Sequence, residues 1–173
     1  TTPPTLNLPS DITAEATGPS GAVVNYTASA NDNLDASLIF GCSPASGSVF
    51  PIGTTLVTCT AEDDAGNIES GGFNVIVQDT TPPVLTLPAD MTLEATGASG
   101  TVATFSASAT DLVDGSLPVT CVPPSGSMFP LGATTVTCSA TDANSNTSSG
   151  NFTVTVQDTT SPVISPMTDI SLE

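Results

Sequence analysis

The chain has 173 residues, including 17 aspartates and glutamates but no lysine, arginine or histidine, and its formal net charge is −17. Nucleic-acid binding is disfavoured, because no side chain can neutralise a phosphate. No segment approaches the roughly 18 continuous apolar residues of a membrane helix. We therefore predict neither nucleic-acid binding nor membrane insertion for this segment.

The main organising feature of the sequence is a repeat with a period of 79 residues. Cys59 and Cys138, for example, are separated by this distance (138 − 59). Such a period predicts a tandem array of domains, with repeat one at 1–79, repeat two at 80–158 and the first strands of a third, truncated repeat at 159–173. The third copy stops inside a strand-like segment, so we expect the natural polypeptide to continue.

Repeat one has the pattern of about seven short strands separated by turns, as in immunoglobulin-type sandwiches. The predicted strands are 5–8, 11–16, 22–30, 38–42, 49–50, 54–62 and 72–77. In strand 54–62, Val57, Cys59 and Ala61 share one face, and no helical period appears anywhere in the chain. The predicted fold class is all-β, as tandem immunoglobulin-like antiparallel β-sandwiches arranged as beads on a string. The phenylalanines that recur at the repeat period are predicted core residues: Phe50, Phe73, Phe129 and Phe152.

Four cysteines occur, two in each repeat, and the members of each pair are 17 residues apart (59 − 42 and 138 − 121). An even count in a histidine-free chain rich in serine and threonine is typical of disulfides in an oxidising compartment. A zinc site made by four thiolates is the alternative, but neither a CxxC spacing nor a histidine supports it. The simplest pairing is Cys42–Cys59 and Cys121–Cys138, and each bridge would contribute on the order of 3 kcal/mol in the chain-entropy model.

Repeat two contains three successive runs with a specific pattern: LPADMTLEATGASG at 87–100, PPSGSMFPLGATTVTCSATDANSN at 123–146 and FTVTVQDTTSP at 152–162. These runs resemble the hyalin repeat (HYR) family, and the resemblance extends over the whole chain. It implies immunoglobulin-like extracellular modules, often in tandem, that are associated with adhesion. Family members often carry a further cysteine pair, before the early proline and just before the last strand. Those positions hold Leu8 and Gly71 here, and Leu87 and Gly150 in repeat two, which implies one bridge per repeat.

The acidic loops are the one polar constellation of the sequence. In an immunoglobulin-like topology, loops 31–35 and 63–67 lie at the end of the domain where the preceding domain exits. Asp79 should therefore lie near the equivalent loops of repeat two, and Glu15 should approach it from the exit of repeat one. Calcium takes 6–8 oxygen ligands from carboxylates, amides and backbone carbonyls. The sequence thus predicts calcium at the junction, in an arrangement similar to cadherin junctions.

The candidate calcium ligands combine the linker set with its counterparts in repeat one. They are Asp79, Asp111, Asp114, Asp142, Asn146, Glu15, Asp32, Asp35, Asp63 and Asn67. The alternative is turn chemistry alone, because Asp and Asn side chains cap their own backbone in tight turns. The turn 142–146 has one carboxylate fewer than the turn 63–67, which weakens the metal interpretation.

Three N-glycosylation sequons occur, at Asn25, Asn146 and Asn151. None of them recurs at the 79-residue period, and short motifs of this kind arise by chance in threonine-rich chains. The sequence leaves open whether the protein is a glycoprotein, and glycans linked to serine or threonine are a comparable alternative.

Catalysis finds no support, because histidine, lysine and arginine are absent and the cysteines are assigned to bridges. We predict that the chain is not an enzyme. The favoured function is a structural component of an extracellular fibre or cell-surface stalk, rigidified by calcium, whose partners are neighbouring repeats or subunits of the same protein. Subunits could also share strands through 165–173. The alternatives are an adhesive module for an extracellular glycan or protein, and a spacer array in a larger secreted protein.

Overall fold

The computed structural model describes residues 2–164, in which all regular secondary structure is β-strand. The strands of repeat one are β1 (Thr5–Asn7), β2 (Ile12–Glu15), β3 (Ala22–Val24), β4 (Ser29–Asn31), β5 (Ile39–Ser43), β6 (Ser48–Phe50), β7 (Gly53–Glu62) and β8 (Ile68–Gln78). Those of repeat two are β9 (Val84–Thr86), β10 (Met91–Glu94), β11 (Thr101–Val102), β12 (Ser108–Asp111), β13 (Gly115–Leu117), β14 (Thr120–Val122), β15 (Met128–Phe129), β16 (Gly132–Thr141) and β17 (Thr147–Gln157). Within the described part of the chain, no helix has the length and apolar character needed to span a membrane. The segment proposed for strand sharing, 165–173, lies outside the described residues.

Each repeat is built on a four-stranded sheet with the order β2–β8–β7–β5 in repeat one and β10–β17–β16–β14 in repeat two. Smaller sheets accompany it: β1–β4 and β3–β6 in repeat one, β11–β15 and β13–β12–β9 in repeat two. The predicted all-β, immunoglobulin-like fold class is confirmed. One pair in each repeat, β2 with β8 and β10 with β17, is nevertheless parallel. This is possible because the first and last strands of the sheet run in the same direction and are joined through the whole repeat.

Residue contacts divide the chain into two compact units. Unit one consists of Thr1–Leu85, Ser108–Pro118 and Ala140–Ser148, and unit two of Thr86–Ala107, Val119–Ser139 and Ser149–Glu173. Two short segments of repeat two therefore group with the residues of repeat one. The domain boundary at residue 79, predicted from the sequence period, stays a prediction.

Each unit has its own apolar core, which follows from the two-residue alternation of the long strands. The core of unit one consists of Ala16, Ala22, Val24, Phe50, Val57, Cys59, Phe73, Val75 and Val77. The core of unit two consists of Ala103, Phe129, Val136, Cys138, Phe152, Val154 and Val156. The four phenylalanines predicted for the core are all buried, which confirms that prediction.

The predicted strand 22–30 is wrong as a single element, because the structure divides it into β3 and β4, which belong to different sheets. The break lies at Tyr26, whose backbone N–H donates to Ser46 Oγ at 2.8 Å. The Ser46 hydroxyl in turn donates to the Tyr26 carbonyl, also at 2.8 Å. A serine side chain thus takes the place of a neighbouring strand at this point.

Both predicted disulfides, Cys42–Cys59 and Cys121–Cys138, are present. Each joins residues directly opposite each other on adjacent antiparallel strands. The cysteines therefore staple the edge strand of the four-stranded sheet to its neighbour.

The positions where HYR members often carry a second cysteine pair are neighbours in space. A Cβ atom built on Gly71 would lie 3.0 Å from Leu8 Cδ1, and one built on Gly150 would lie 2.9 Å from Leu87 Cδ1. In both repeats a leucine side chain covers a glycine where a bridge would otherwise stand. Gly71 also lies within β8 rather than before it, because that strand begins at Ile68.

Candidate metal centre

The turn between β16 and β17 is built around the carboxylate of Asp142. Its Oδ1 accepts hydrogen bonds from the backbone N–H groups of Asn144 (2.9 Å) and Asn146 (2.8 Å). Its Oδ2 accepts one from the side-chain amide of Asn146 at 2.8 Å. Capping of its own turn is the usual role of such a short acidic side chain. Because Asp142 is only 7% exposed, this network holds the turn with little help from water.

The loop after β12 is organised in a similar way by Asp111. Its Oδ1 accepts hydrogen bonds from the backbone N–H groups of Val113 (2.7 Å) and Asp114 (3.0 Å). Asp114 then uses its Oδ2 to accept a hydrogen bond from the backbone N–H of Ala143 at 2.9 Å. The loop and the 142–146 turn are therefore joined through Asp114.

Asp79, in the linker that follows β8, is held by the two asparagines of this turn. Its Oδ2 accepts a hydrogen bond from the Asn144 side chain at 3.0 Å, and its backbone carbonyl accepts one from the Asn146 side chain at 3.1 Å. Asp79 is 6% exposed. All of these residues belong to unit one.

The result is a cluster of three carboxylates, Asp79, Asp114 and Asp142, with one oxygen of each within 4.8 Å of the others. Like charges this close repel by on the order of a few kcal/mol for each pair near a protein surface. The chain has no lysine, arginine or histidine to offset that repulsion. Carboxylate, amide and carbonyl oxygens are the donors that calcium takes, and all three types occur around this cluster.

The structure distributes the ten predicted ligands unequally. It brings together Asp79, Asp114 and Asp142, with Asn146 hydrogen-bonded to the first and third of them. Asp111 instead shapes the loop that carries Asp114. In the described part of the chain, no other group of three metal-ligating side chains is this close.

The predicted ligands of repeat one form the corresponding turns. Asp63 Oδ1 accepts hydrogen bonds from the backbone N–H groups of Ala65 (3.0 Å) and Asn67 (2.8 Å), and its Oδ2 accepts one from the Asn67 amide (2.7 Å). The hydrogen bond from the Asn67 side chain is the main reason that the pKa of Asp63 is lowered. Asp32 Oδ1 accepts the backbone N–H of Asp35 at 3.0 Å. Burial raises the pKa of Asp35, and the nearby acidic side chains of the two turns raise it further.

Glu15, at the end of β2, binds the linker residues that follow Asp79. Its Oε1 accepts hydrogen bonds from the Thr80 backbone N–H and the Thr81 hydroxyl, both at 2.8 Å, and its Oε2 accepts one from the Thr80 hydroxyl at 2.7 Å. The hydrogen bonds from Thr80 are the main reason that the pKa of Glu15 is lowered. The same arrangement recurs in unit two with Glu94, Thr159 and Thr160. We call these two arrangements the glutamate clamps.

Sequence reasoning missed two features of this region. Asn144 was absent from the candidate ligands, although the equivalent position of repeat one holds Ala65, and this difference was the available signal. The glutamate clamps were also missed, although glutamate and the threonine pair recur together at the repeat period. Recurrence identifies both residues of such a contact but not the fact that they meet.

The three sequon asparagines differ in their surroundings. Asn25 and Asn151 are exposed, whereas Asn146 is half-buried. The Asn146 side-chain nitrogen donates to both the Asp79 carbonyl and Asp142 Oδ2. A glycan on that nitrogen would leave one N–H for two acceptors, so modification of Asn146 would compete with the cluster.

The family model named HYR domain matches this chain twice, at residues 1–77 and 78–156. Hyalin from Lytechinus variegatus is 37% identical over 176 residues, which cover 95% of this chain and 33% of that protein. Hyalin from Strongylocentrotus purpuratus is 36% identical over 182 residues, which cover 99% of this chain and 15% of that protein. The chain thus spans a third or less of the length of these relatives.

A fold comparison finds the crystal structure of human protocadherin-24 EC1-2. The TM-score is 0.35 at 17% sequence identity, and the match covers 86% of this chain and 95% of that chain.

Proposed function

The chain belongs to the HYR family, whose repeats occur in hyalin-like extracellular proteins, and we propose on this basis that it is a structural segment of an extracellular fibre or cell-surface stalk. The observation that carries the proposal is the anchoring of the linker residue Asp79 by Asn144 and Asn146. A linker fixed through both its side chain and its carbonyl retains few free torsions. Segments of this kind suit a protein that must keep its length under load.

The proposed role is mechanical rather than catalytic, since the chain lacks the histidine and lysine side chains that most often serve as general bases near neutral pH. An adhesive module for a glycan or protein and a spacer array in a larger secreted protein are the alternatives. Electron microscopy of the natural full-length protein distinguishes them. Long filaments or rods with a regular spacing of one repeat support a fibre or stalk, and compact particles contradict it.

Calcium is the cation that we propose for the cluster of Asp79, Asp114 and Asp142. The support is chemical: three converging carboxylates, two of them largely buried, belong to a chain that contains no cation of its own. Calcium accepts irregular sets of oxygen ligands, whereas magnesium demands a tighter octahedron and retains its water. A bound calcium would join the linker to both loops and so stiffen this part of the array.

Thermal unfolding in calcium and in EDTA, at matched ionic strength, tests this proposal. At a free calcium concentration 100 times the dissociation constant, binding to the folded state alone adds about 2.7 kcal/mol to the free energy of unfolding. We expect the unfolding midpoint of the wild type to rise with calcium and to rise much less with magnesium.

Two matched variants make this test specific for the cluster. Asp79→Asn keeps the size of the side chain and an acceptor for Asn144 but removes one carboxylate, so it should abolish most of the calcium shift. Asp35→Asn removes the equivalent of Asp114 in repeat one and should leave the shift intact. A wild type without any calcium shift, or an Asp79→Asn variant with a full one, contradicts the proposed site.

A further inference from the structure

We propose that each repeat carries an apolar contact surface for a second copy of the chain. The surface of repeat one consists of Val23, Val49 and Ile52, and that of repeat two consists of Val102, Met128 and Leu131. We call these sets the apolar triads. Val23 and Val49 face each other across the β3–β6 pair, as Val102 and Met128 do across β11–β15. The exposed fractions of the six side chains lie between 39% and 58%, so each triad presents apolar side chains to solvent.

Recurrence distinguishes the triads from other exposed apolar side chains. Every member has an exposed apolar counterpart 79 residues away in the other repeat. By contrast, the exposed side chains of Leu56, Ile68 and Val122 correspond to Thr135, Thr147 and Ser43. Single exposed apolar residues need no explanation. A patch that is present in both repeats indicates a contact that both repeats make.

The charge distribution identifies the occupant as a second copy. The segments that build the triads, 16–31 and 36–61 in repeat one and 95–110 and 115–141 in repeat two, contain no aspartate or glutamate. Two copies with a net charge of −17 each repel wherever acidic surfaces meet. Approach through the triads avoids that repulsion. A cationic partner, in contrast, would be drawn to the acidic loops rather than to a segment without charge.

The size of a triad predicts weak contacts that act in number. Three half-exposed side chains offer on the order of a few hundred Å² in each repeat, whereas a stable interface buries about 800 Å² on each partner. A pair of repeats should therefore associate weakly. Longer arrays, with one triad every 79 residues, would combine many such contacts. The inference deepens the proposed structural function and rests on it, since lateral contacts matter where arrays lie side by side.

Static light scattering of the 173-residue chain provides the test, because the second osmotic virial coefficient measures weak attraction or repulsion between copies. EDTA is present throughout, so that calcium cannot bridge the copies. At low salt the coefficient should be positive, because the anionic chains repel. Added sodium chloride screens that repulsion, and the apolar attraction should then turn the coefficient negative. An association that depended on ion pairs would weaken with salt, and this chain has no cationic side chain with which to form them.

Matched variants assign the attraction to the triads. The triad variant combines Val23→Thr, Val49→Thr, Val102→Thr and Met128→Thr. The control variant combines Ile39→Thr, Leu56→Thr, Leu112→Thr and Val122→Thr, which replace side chains that are more exposed than those of the triad set. We expect the triad variant to keep a positive coefficient at high salt and the control variant to follow the wild type.

A second triad variant, Ile52→Ser with Leu131→Ser, changes residues outside the strands and should shift the coefficient in the same direction by a smaller amount. Circular dichroism and thermal unfolding verify that every variant is folded. Equal coefficients for the wild type and both triad variants at every salt concentration would overturn the inference. An equal loss of attraction in the control variant would overturn it as well. Neither result bears on the proposed fibre or stalk, which electron microscopy of the natural protein tests separately.

Discussion

The acidic turns of the two repeats, 63–67 and 142–146, share one hydrogen-bond network but have different neighbours. In both turns the first aspartate accepts two backbone N–H groups and the amide of the asparagine four residues later. In the described part of the chain, the second turn alone holds a linker carboxylate, that of Asp79. The comparison teaches that the turn motif by itself caps the backbone. A candidate metal centre arises where a preceding linker delivers a third carboxylate to it.

The largest predicted effect tests the shared part of the two turns. Asp63→Ala and Asp142→Ala each remove the acceptor of three hydrogen bonds at a position that is 5% or 7% exposed. Because buried donors lose a charged acceptor, we expect each variant to lower the free energy of unfolding by about 2–4 kcal/mol. Urea unfolding in EDTA measures this loss without any contribution from a bound metal.

The control for these variants is Asp64→Ala, which replaces an exposed carboxylate by the residue found at Ala143. It should change the free energy of unfolding by no more than about 0.5 kcal/mol. A loss for Asp142→Ala far below that for Asp63→Ala, still in EDTA, would show that the two networks are not equivalent.

The next effect compares the repeats at their unused bridge positions. Leu8→Cys with Gly71→Cys, and separately Leu87→Cys with Gly150→Cys, should each form a disulfide, because the leucine side chain already contacts the glycine. Closing a loop of 63 residues (71 − 8) contributes about 4 kcal/mol in the chain-entropy model. The loss of a half-buried leucine offsets roughly 1–2 kcal/mol of that gain.

We therefore expect a net stabilisation of about 2 kcal/mol in each repeat. Urea unfolding measures the gain, and mass spectrometry after thiol labelling counts the bridges. The single variants Leu8→Cys and Leu87→Cys are the controls and should be destabilised. Free thiols in a folded double variant would mean that the two positions cannot be joined.

A smaller effect should be specific for the second turn. Asn144→Ala removes the hydrogen bond to Asp79 Oδ2 and should cost about 1 kcal/mol in EDTA. The reverse exchange, Ala65→Asn, places the same side chain at the equivalent position of repeat one. It should leave the free energy of unfolding within about 0.5 kcal/mol, as is usual for an exposed site. Equal losses in the two variants, measured by urea unfolding, would contradict the role assigned to the linker carboxylate.

The sequence predicts the long strands well, because one of their faces must be buried. The predicted strand 54–62 corresponds to β7, Gly53–Glu62, since Val57, Cys59 and Ala61 alternate with polar residues. The break within 22–30 was not predictable in this way. It depends on Ser46, a residue 20 positions from Tyr26 in the chain, whose hydroxyl replaces a strand neighbour.

The candidate site follows the same division between topology and local contact. Strand topology predicts that Asp79 arrives at the loops of repeat two, and the structure has Asp79, Asp114 and Asp142 in one cluster. Topology does not predict that Glu15 turns to the threonines after Asp79. That choice depends on three short hydrogen bonds whose donors lie one and two residues beyond the expected target.

The smallest predicted effect concerns the glutamate clamps, in which the two repeats are alike. The pKa values of Glu15 and Glu94 are lowered below their ordinary value of 4.5, chiefly by the side-chain hydrogen bonds from Thr80 and Thr159. A carboxylate with a lowered pKa in the folded state contributes stability above its unfolded pKa and loses it as the pH falls through the folded pKa. The wild type should therefore lose clamp stability below about pH 4.5.

Glu15→Gln and Glu94→Gln should each remove part of this acid sensitivity, because glutamine does not titrate. Each should also lower stability slightly at neutral pH, since the amide nitrogen cannot accept the threonine hydroxyl. Removing one negative charge from so acidic a chain is itself favourable, so Glu69→Gln, at an exposed position, serves as the charge-matched control. Thermal unfolding between pH 3 and pH 7 should give a flatter curve for the two clamp variants than for the wild type, and a curve parallel to the wild type for Glu69→Gln. If one clamp variant alone became less sensitive to acid, the equivalence of the two clamps would fail.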